Sequence, residues 1–220
     1  MHQSSSVVIA GYGPALGEAL AERFHIGGYQ VIPVSRRGAW ATDLKDPEAT
    51  AALFSRIDSE AAPLAGVIHN AMEFHRQAFL ATSSDTFLSV WQSMVLTAVN
   101  VSQHAIPRLT ARGGGSLLFS GASGSVRAGA EFSAFSSAKF ALRGLAQSLA
   151  REHEADGIHV AHVVVDGLIR SERTAQRFAP PATATLIEPA DLAEQYFWLF
   201  QQSRSGWTHE IDVRPAQAAR

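Results

Sequence analysis

The feature that most restricts the fold is a short apolar run followed by three closely spaced glycines. Residues 7–10 are mostly β-branched and predict a buried strand. Gly11, Gly13 and Gly17 follow with the spacing G-x-G-x-x-x-G, and residues 14–27 predict a helix with one apolar face. In such a strand, turn and helix, backbone N–H groups and the positive end of the helix dipole meet where a dinucleotide diphosphate binds. The alternative is a glycine turn that holds no ligand.

The remainder of the chain alternates predicted strands with predicted helices. The strands are almost continuously apolar, which is typical of strands whose two faces are both covered by helices. This alternation predicts an α/β fold, a Rossmann-type doubly wound parallel sheet in three αβα layers. We expect one NAD(P)-binding domain over residues 1–220, with a mobile loop at 175–189. The further predicted strands are 29–34, 67–68, 116–119, 158–165 and 210–213, and the further predicted helices are 47–60, 85–109, 132–155 and 190–202.

Composition excludes several classes of function. A formal net charge of −2 provides no field that would attract nucleic acid or an anionic membrane. The chain has no cysteine, which excludes disulfides, thiolate metal sites and a cysteine nucleophile and fits a cytoplasmic protein. No signal peptide and no membrane-spanning apolar stretch is predicted. The nine histidines show no metal-ligand spacing, and we expect His159 and His162 to point to opposite faces of their strand.

Two arginines follow the second predicted strand, at the position that distinguishes the two nicotinamide dinucleotides. An acidic side chain there binds the ribose 2′-hydroxyl of NAD, whereas arginine accommodates the 2′-phosphate of NADP. Arg36 and Arg37 are basic, and no carboxylate precedes them on that strand. The sequence therefore favours NADP(H) over NAD(H), the alternative being two solvated arginines after a strand.

Several segments resemble the short-chain dehydrogenase/reductase family, over nearly the whole chain. Residues 10–17 resemble its glycine-rich turn, with Ala15 where the family has its middle glycine. Residues 43–44 (Asp-Leu) resemble the pair that contacts adenine, and residues 69–72 (His-Asn-Ala-Met) stand where the family has Asn-Asn-Ala-Gly. Residues 166–169 (Asp-Gly-Leu-Ile) stand where it has Pro-Gly-x-Ile/Val, whose backbone faces the nicotinamide. The resemblance implies cofactor contacts by Gly11, Tyr12, Gly13, Ala15, Leu16, Gly17, Arg36, Arg37, Asp43, Leu44, Asn70, Ala71, Lys139, Asp166, Gly167 and Ile169.

The catalytic motif of that family is only partly present. Residues 135–139 (Phe-Ser-Ser-Ala-Lys) resemble the family's Tyr-x-x-x-Lys, in which positions i and i+4 share one helix face. In that motif the lysine holds the nicotinamide ribose and lowers the pKa of the phenol, which exchanges the proton that accompanies hydride transfer. This sequence keeps Lys139 but has Phe135 at the tyrosine position. The family's helical asparagine falls on Met94, and its catalytic serine falls near residues 121–122.

These departures separate cofactor binding from proton transfer. Loss of a general acid typically costs about 10²–10⁴-fold in rate. Ser120 and Ser123 flank the expected serine position, and together with Ser136 they are candidates for a proton relay. Glu131 is an acidic candidate if it is buried, although a solvated loop carboxylate is the simpler interpretation. His69 lies at the end of the third predicted core strand, where a packed structural role is favoured.

Two functions are compatible with this pattern. The favoured one is an NADP(H)-dependent short-chain oxidoreductase with an incomplete catalytic tetrad. It would act on a small-molecule carbonyl, alcohol or activated double bond, in a small or open pocket beneath residues 170–189. The alternative is a catalytically impaired NADP(H)-binding protein with a sensor or structural role. The resemblance also implies a homodimer or homotetramer paired through the helices at 85–109 and 132–155.

Overall fold

The computed structural model describes residues 5–216, which contain a seven-stranded sheet in which every pair of neighbouring strands is parallel. The strand order is β3-β2-β1-β4-β5-β6-β7, so the chain builds outward from β1 in both directions. This topology confirms the predicted doubly wound α/β fold. The sequence did not predict β3, which has only two residues. The strands are β1 Ser6–Ala10, β2 Gln30–Ser35, β3 Trp40–Ala41, β4 Leu64–His69, β5 Gly115–Ser120, β6 Ile158–Val165 and β7 Glu210–Val213.

The helices agree with the sequence pattern except at two places. The single helix expected at 85–109 contains a π-helical stretch, Gln92–Leu96, which separates α3 from α4. The segment expected to be a loop at 175–189 overlaps a short helix, α6, so that expectation was wrong for residues 175–178. The helices are α1 Leu16–Ile26, α2 Pro47–Glu60, α3 Ser84–Trp91, α4 Thr97–Ala111, α5 Ser133–His153, α6 Glu172–Phe178 and α7 Pro189–Phe200.

Side-chain caps begin several of these helices. The Asp46 carboxylate accepts hydrogen bonds from the backbone N–H groups of Glu48 and Ala49, at 2.8 and 3.2 Å, and so begins α2. The Ser171 hydroxyl accepts a bond from the N–H of Thr174 at 3.0 Å in the same way. This cap explains how α6 forms within a segment that has little hydrophobic periodicity.

The core consists of two apolar layers, one on each face of the sheet. Helices α2 to α5 cover the face that includes Val8 and Val67, whereas α1 and α7 cover the face that includes Val7 and Ile68. The same alternation confirms the prediction for two strand histidines. His162 faces α5. His159 faces the opposite layer, where its ring stacks on that of Trp207 with the ring centres 5.1 Å apart.

The parallel arrangement brings the candidate site residues to one edge of the sheet. Strands β1 and β4 are direct neighbours, with Ala10 paired to His69, and the chain order reverses between them. In open α/β sheets, ligands bind outside the carboxyl ends of the strands at such a reversal. The loops after β1, β2, β4, β5 and β6 therefore meet at the expected binding edge.

Candidate functional site

The glycine turn after β1 packs directly against the loop after β4. Gly11 has a φ of +89°, and a Cβ atom there would lie 2.3 Å from the backbone nitrogen of Ala71. The N–H of Asn70 donates to the carbonyl of Ala10 at 2.7 Å, and its side-chain amide donates to the carbonyl of Gly11 at 3.3 Å. Only glycine permits both this backbone conformation and this close approach. The structure thus brings together Gly11, Asn70 and Ala71, three of the residues expected to contact the cofactor.

The first turn of α1 completes the cradle. Ala15 precedes the helix with φ 65° and ψ −106°, a left-handed conformation that favours glycine, at the position where the family has one. A Cβ atom on Gly17 would lie 3.3 Å from the Cα of Tyr12, so this glycine keeps the helix close to the turn. The N–H groups of Leu16 and Gly17 lie in the first helical turn, where no preceding helical carbonyl is available to them. This helix start is suited to an anion.

The two arginines lie beside this cradle. The carbonyl of Val34 accepts hydrogen bonds from the N–H groups of Gly11 and Tyr12 at 3.0 and 2.9 Å, which fixes the end of β2 to the turn. Arg36 and Arg37 follow β2 directly, and both side chains are exposed. Within the described part of the chain, neither guanidinium has a carboxylate partner. Two uncompensated positive charges therefore border the glycine turn.

The segment expected to contact adenine is held in place by a residue that the sequence interpretation missed. Asp43 is exposed, and its carboxylate accepts a bond from the N–H of Lys45 at 3.0 Å. Leu44 is buried, and its carbonyl accepts a bond from the side-chain amide of Asn100 at 2.9 Å. Asn100 is a buried polar residue on the apolar face of α4, and that position within the helical pattern was the available signal.

Position 135, where the sequence resemblance expects a tyrosine, is apolar, while Lys139 is almost completely buried. Phe135 is buried near the start of α5, and Met94 is buried within the π-helical stretch. Lys139 is 2% exposed, and its Nζ donates to the carbonyl of Ser120 at 2.7 Å and lies 5.8 Å from the centre of the Phe135 ring. Burial lowers the pKa of Lys139 to about 8. A poorly solvated ammonium group thus stands beside a ring that cannot exchange a proton.

The structure corrects the role considered for Ser120. Its hydroxyl is hydrogen-bonded to the hydroxyl of Tyr196 at 2.7 Å, in the layer formed by α1 and α7. Phe135 packs in the other layer, because α5 covers the opposite face of the sheet. Ser120 therefore contributes its carbonyl to the site and not its hydroxyl. Ser123 follows β5 in a 3-10 turn, and the Ser136 hydroxyl would lie 3.3 Å from a Cβ atom on Gly124 in that same turn.

Contacts within the fold account for two further candidate residues, His69 and Glu131. His69 is buried, with its Nε2 2.9 Å from the hydroxyl of Thr97, and burial together with the charge of Lys139 lowers its pKa to about 3. It is therefore neutral and packed. Glu131 is exposed and forms an ion pair with Arg76 at 2.8 Å. The solvated interpretation of Glu131 is confirmed, and a buried catalytic acid is excluded at that position.

A histidine of β6, His162, is buried beneath the site. The Nδ1 of His162 lies 2.9 Å from the Glu210 carboxylate, which also accepts two bonds from Arg143, both at 2.7 Å. The other ring nitrogen, Nε2, would lie 2.2 Å from a Cβ atom on Gly121. Burial lowers the pKa of His162 to about 4. The residue after Ser120 must therefore be glycine, and His162 and Lys139 both approach the peptide between residues 120 and 121.

The loop after β6, on the side of the site away from the glycine turn, is tightly packed. Asp166 is largely buried and forms an ion pair with Arg127 at 2.7 Å. A Cβ atom on Gly167 would lie 2.7 Å from the Cδ of Pro215. The carbonyl of Ile169 accepts a bond from the Thr174 hydroxyl at 2.6 Å, which ties α6 to this loop.

The parallel sheet with a glycine turn at its reversal point defines a protein of the Rossmann class. A model of the family described as short chain dehydrogenase matches residues 5–181. The chain therefore belongs to the short-chain dehydrogenase family of oxidoreductases.

Individual relatives agree with this assignment. The 3alpha-hydroxysteroid dehydrogenase of Mediterraneibacter gnavus is 27% identical over 190 residues, which cover 83% of this chain and 76% of that protein. A short-chain dehydrogenase from Rhodopseudomonas palustris has a similar structure, with a TM-score of 0.82 and 29% identity over 96% of this chain and 99% of that one. The fold is also that of ElxO, solved with NADP bound, with a TM-score of 0.87 and 16% identity over 96% of this chain and 97% of that one.

Two negative findings apply to residues 5–216. No group of three His, Asp or Glu side chains there is arranged to hold a metal ion. No helix in that range has the length and apolarity needed to cross a bilayer.

Proposed function

We propose that this chain is an NADP(H)-dependent short-chain oxidoreductase with an incomplete catalytic tetrad, acting on a carbonyl, an alcohol or an activated double bond. The observation that supports it most is the position of Arg36 and Arg37 beside the glycine turn, where neither has an acidic partner in the described chain. At Gly11 this turn leaves no room for a Cβ atom. Guanidinium groups beside a diphosphate-binding turn suit the 2′-phosphate of NADP. ElxO with phenylalanine in place of one tyrosine has also been solved with NADPH bound, so this fold holds the dinucleotide with such a substitution.

The remaining cofactor contacts are proposed from position along the binding edge. Asp43, Leu44 and Asn70 would border the adenosine, Lys139 would hold the nicotinamide ribose, and the backbone of Ile169 would hold the carboxamide. When bound, NADPH supplies a hydride, which is the cofactor's own chemistry. The protein then needs to orient the substrate and provide one proton.

Lys139 is the proposed proton source in the absence of a phenol. One of the three N–H groups of its Nζ donates to the Ser120 carbonyl. No carboxylate pairs with Lys139 in the region that the structure describes. Because burial lowers its pKa to about 8, Lys139 releases a proton near neutral pH more readily than a surface lysine. Ser123 and Ser136 remain relay candidates, with water as the alternative.

Calorimetric titration with NADPH and NADH tests the cofactor assignment. We expect the double variant Arg36→Ala/Arg37→Ala to weaken NADPH binding by roughly tenfold or more, since a charged hydrogen bond contributes about 1.5–3 kcal/mol. NADH binding should change little. Arg151→Ala, on the surface near the end of α5, is the control. Equal affinity of the parent for both dinucleotides would contradict the NADP preference, and binding of neither would contradict the function.

One observation favours a second candidate, a catalytically impaired NADP(H)-binding protein with a sensor or structural role. Two of the family's polar catalytic positions carry the buried apolar side chains of Met94 and Phe135. Both candidates require the glycine turn and Lys139, so only turnover separates them.

A turnover assay distinguishes the two candidates. NADPH consumption is measured with aldehydes, ketones and quinones, for the parent, Lys139→Ala and Phe135→Tyr. Turnover by the parent that Phe135→Tyr changes little and Lys139→Ala removes supports an enzyme with another proton source. A silent parent whose Phe135→Tyr variant gains turnover supports the impaired scaffold.

We also propose a homo-oligomer that forms through α3 and α5. Leu88 and Trp91 on α3 and Phe140 on α5 are large apolar side chains with exposed fractions of 54%, 39% and 43%. Light scattering after size exclusion should give a multiple of the 23.6 kDa chain mass, and Phe140→Glu should shift it toward the monomer. A single domain and a cytoplasmic location stay predictions.

A further inference from the structure

Four phenylalanine rings meet at the position of the missing tyrosine, and we refer to Phe74, Phe132, Phe135 and Phe178 as the phenylalanine cluster. The Phe74 ring is central, with its centre 5.8 Å from that of Phe132, 5.4 Å from that of Phe135 and 5.2 Å from that of Phe178. These distances are typical of favourable aromatic pairs. Phe135 is the buried end of the cluster, and the Nζ of Lys139, one helical turn later, lies 5.8 Å from the centre of its ring.

Three separate segments contribute to the cluster. Phe74 lies in the loop after β4, Phe132 and Phe135 lie at the start of α5, and Phe178 ends α6. Phe178 is 37% exposed, so solvent reaches the cluster from the side of α6. The cluster therefore connects the catalytic position with the segment at 170–189, where the substrate is expected.

Arg177 adds a positive charge to the phenylalanine cluster. Its guanidinium carbon lies 4.4 Å from the centre of the Phe74 ring, and its Nη2 donates to the carbonyl of Phe74 at 3.3 Å. Among residues 5–216, no carboxylate forms an ion pair with Arg177. Arg173, on the same helix, likewise has none in that range, whereas Arg76 pairs with Glu131, Arg127 with Asp166, and Arg170 with Glu188.

We propose that the phenylalanine cluster and Arg177 form the substrate subsite, and that the substrate is a flat aromatic carbonyl compound carrying a carboxylate. Phenylalanine rings bind an aromatic body through offset and edge contacts. A guanidinium that lies over a ring keeps N–H donors at its edge, and two of these can bind one carboxylate. This proposal rests on the proposed function, because the reacting carbonyl is placed beside Phe135 and Lys139.

The carboxylate serves to anchor the substrate and is unchanged by the reaction. In the reductive direction the carbonyl carbon gains a hydride from NADPH and the carbonyl oxygen gains one proton, which gives the alcohol and NADP⁺. An anchor at Arg177 on one side of the rings leaves the carbonyl on the side of Lys139. The subsite would thereby orient the substrate without the hydrogen bond that a tyrosine supplies.

Two probes of nearly equal shape test the charge requirement. 2-Naphthoate and 2-naphthamide carry the same rings, and only 2-naphthoate is negatively charged. Calorimetry on the protein saturated with NADP⁺ should show 2-naphthoate binding about tenfold or more tightly than 2-naphthamide, as expected for a charged hydrogen-bond pair. Hexanoate, which is charged but not aromatic, should bind more weakly than 2-naphthoate.

Single substitutions separate the charge from the rings. Arg177→Gln should remove the preference for 2-naphthoate over 2-naphthamide. Arg170→Gln removes an equal charge close to α6. Because Arg170 is paired with Glu188, this variant should keep the preference for 2-naphthoate. Phe178→Ala should weaken both probes by a similar factor, roughly tenfold, through lost ring contact. Thermal unfolding of each variant shows whether the fold is retained.

Several results would overturn the subsite proposal. They are equal affinity of the parent for the two probes, binding of neither probe, and an Arg170→Gln effect as large as that of Arg177→Gln. The same titrations without cofactor keep this test apart from the proposed function. If the dinucleotide does not bind and the preference for 2-naphthoate persists, the cofactor assignment fails and the subsite stands.

Discussion

The two sides of the binding edge follow the family to different degrees. The cofactor side, formed by the loops after β1, β2 and β4, keeps the glycine turn, the arginines and Asn70 in mutual contact or close by. The catalytic side, formed by β5, α5 and β6, keeps Lys139 and has Phe135 beside it. A diphosphate is bound largely by backbone amides, which any sequence with the right turn provides. Proton transfer depends on individual side chains, which can change while the fold persists.

Gly11→Ala should have the largest effect, on the cofactor side. The positive φ and the 2.3 Å approach to Ala71 mean that both backbone strain and overlap with fixed backbone oppose a Cβ atom. We expect the free energy of unfolding, measured in urea, to fall by about 3 kcal/mol or more. Gly13→Ala is the control, because no atom lies within 4 Å of its Cβ position. Similar losses in the two variants would contradict the tight packing of the turn on β4.

Acid should destabilise the protein through two buried histidines, His162 on the catalytic side and His69 at the end of β4. His162 has a pKa of about 4 in the folded protein against an ordinary value of 6.5, and His69 has a pKa of about 3. As the pH falls below 6.5, the unfolded chain binds protons that the folded chain does not, so the free energy of unfolding decreases. The full loss for His162 is on the order of 3 kcal/mol by pH 4.

Urea unfolding between pH 5 and 7 measures this dependence. The window lies above the range in which Glu210 titrates, whose pKa is held below its ordinary value of 4.5 chiefly by the hydrogen bonds from Arg143. His162→Leu removes one of the two titrating rings and should reduce the slope, while His69 keeps its own contribution. An unchanged slope in His162→Leu would show that this histidine is not the source.

Lys139→Met should stabilise the protein while it impairs cofactor binding. Burial lowers the pKa of Lys139 from 10.5 to about 8. Above pH 10.5 this side chain is neutral in the folded and the unfolded chain. As the pH falls from 10.5 toward 8, the unfolded chain binds a proton that the folded chain does not, so the free energy of unfolding decreases. At pH 7 the buried charge therefore opposes folding. Replacement by methionine should raise the free energy of unfolding by about 1–2 kcal/mol, after allowance for the lost bond to Ser120. Lower stability of Lys139→Met at pH 7 would contradict this account.

Ala15→Gly should give the smallest effect, on the cofactor side. Ala15 has φ 65°, and glycine adopts that conformation without strain. The free energy of unfolding should rise by about 1 kcal/mol, and NADPH affinity should not decrease. Ala19→Gly, inside α1, is the matched control and should lose about 1 kcal/mol because glycine weakens a helix interior. A loss in both variants would show that Ala15 is not strained.

Several elements could not be predicted because their signals are not periodic. α6 depends on the Ser171 cap and on the Thr174 bond to the Ile169 carbonyl, and neither produces a hydrophobic repeat. The π-helical stretch around Met94 interrupts a pattern that is continuous in sequence. β3 is two residues long, so it carries no alternation. Most elements with an apolar pattern were predicted, whereas α6 and β3, which lack one, were not.

The sequence by itself determined the sheet, the glycine turn, the arginines after β2 and the phenylalanine four residues before Lys139, because each depends on local pattern or residue identity. Only the tertiary structure decided that the Ser120 hydroxyl faces Tyr196, that His162 faces Glu210, and that Arg177 meets Phe74. These contacts join residues far apart in the chain. Which face of a strand or helix meets which partner is decided by packing, and a single sequence does not contain that pairing.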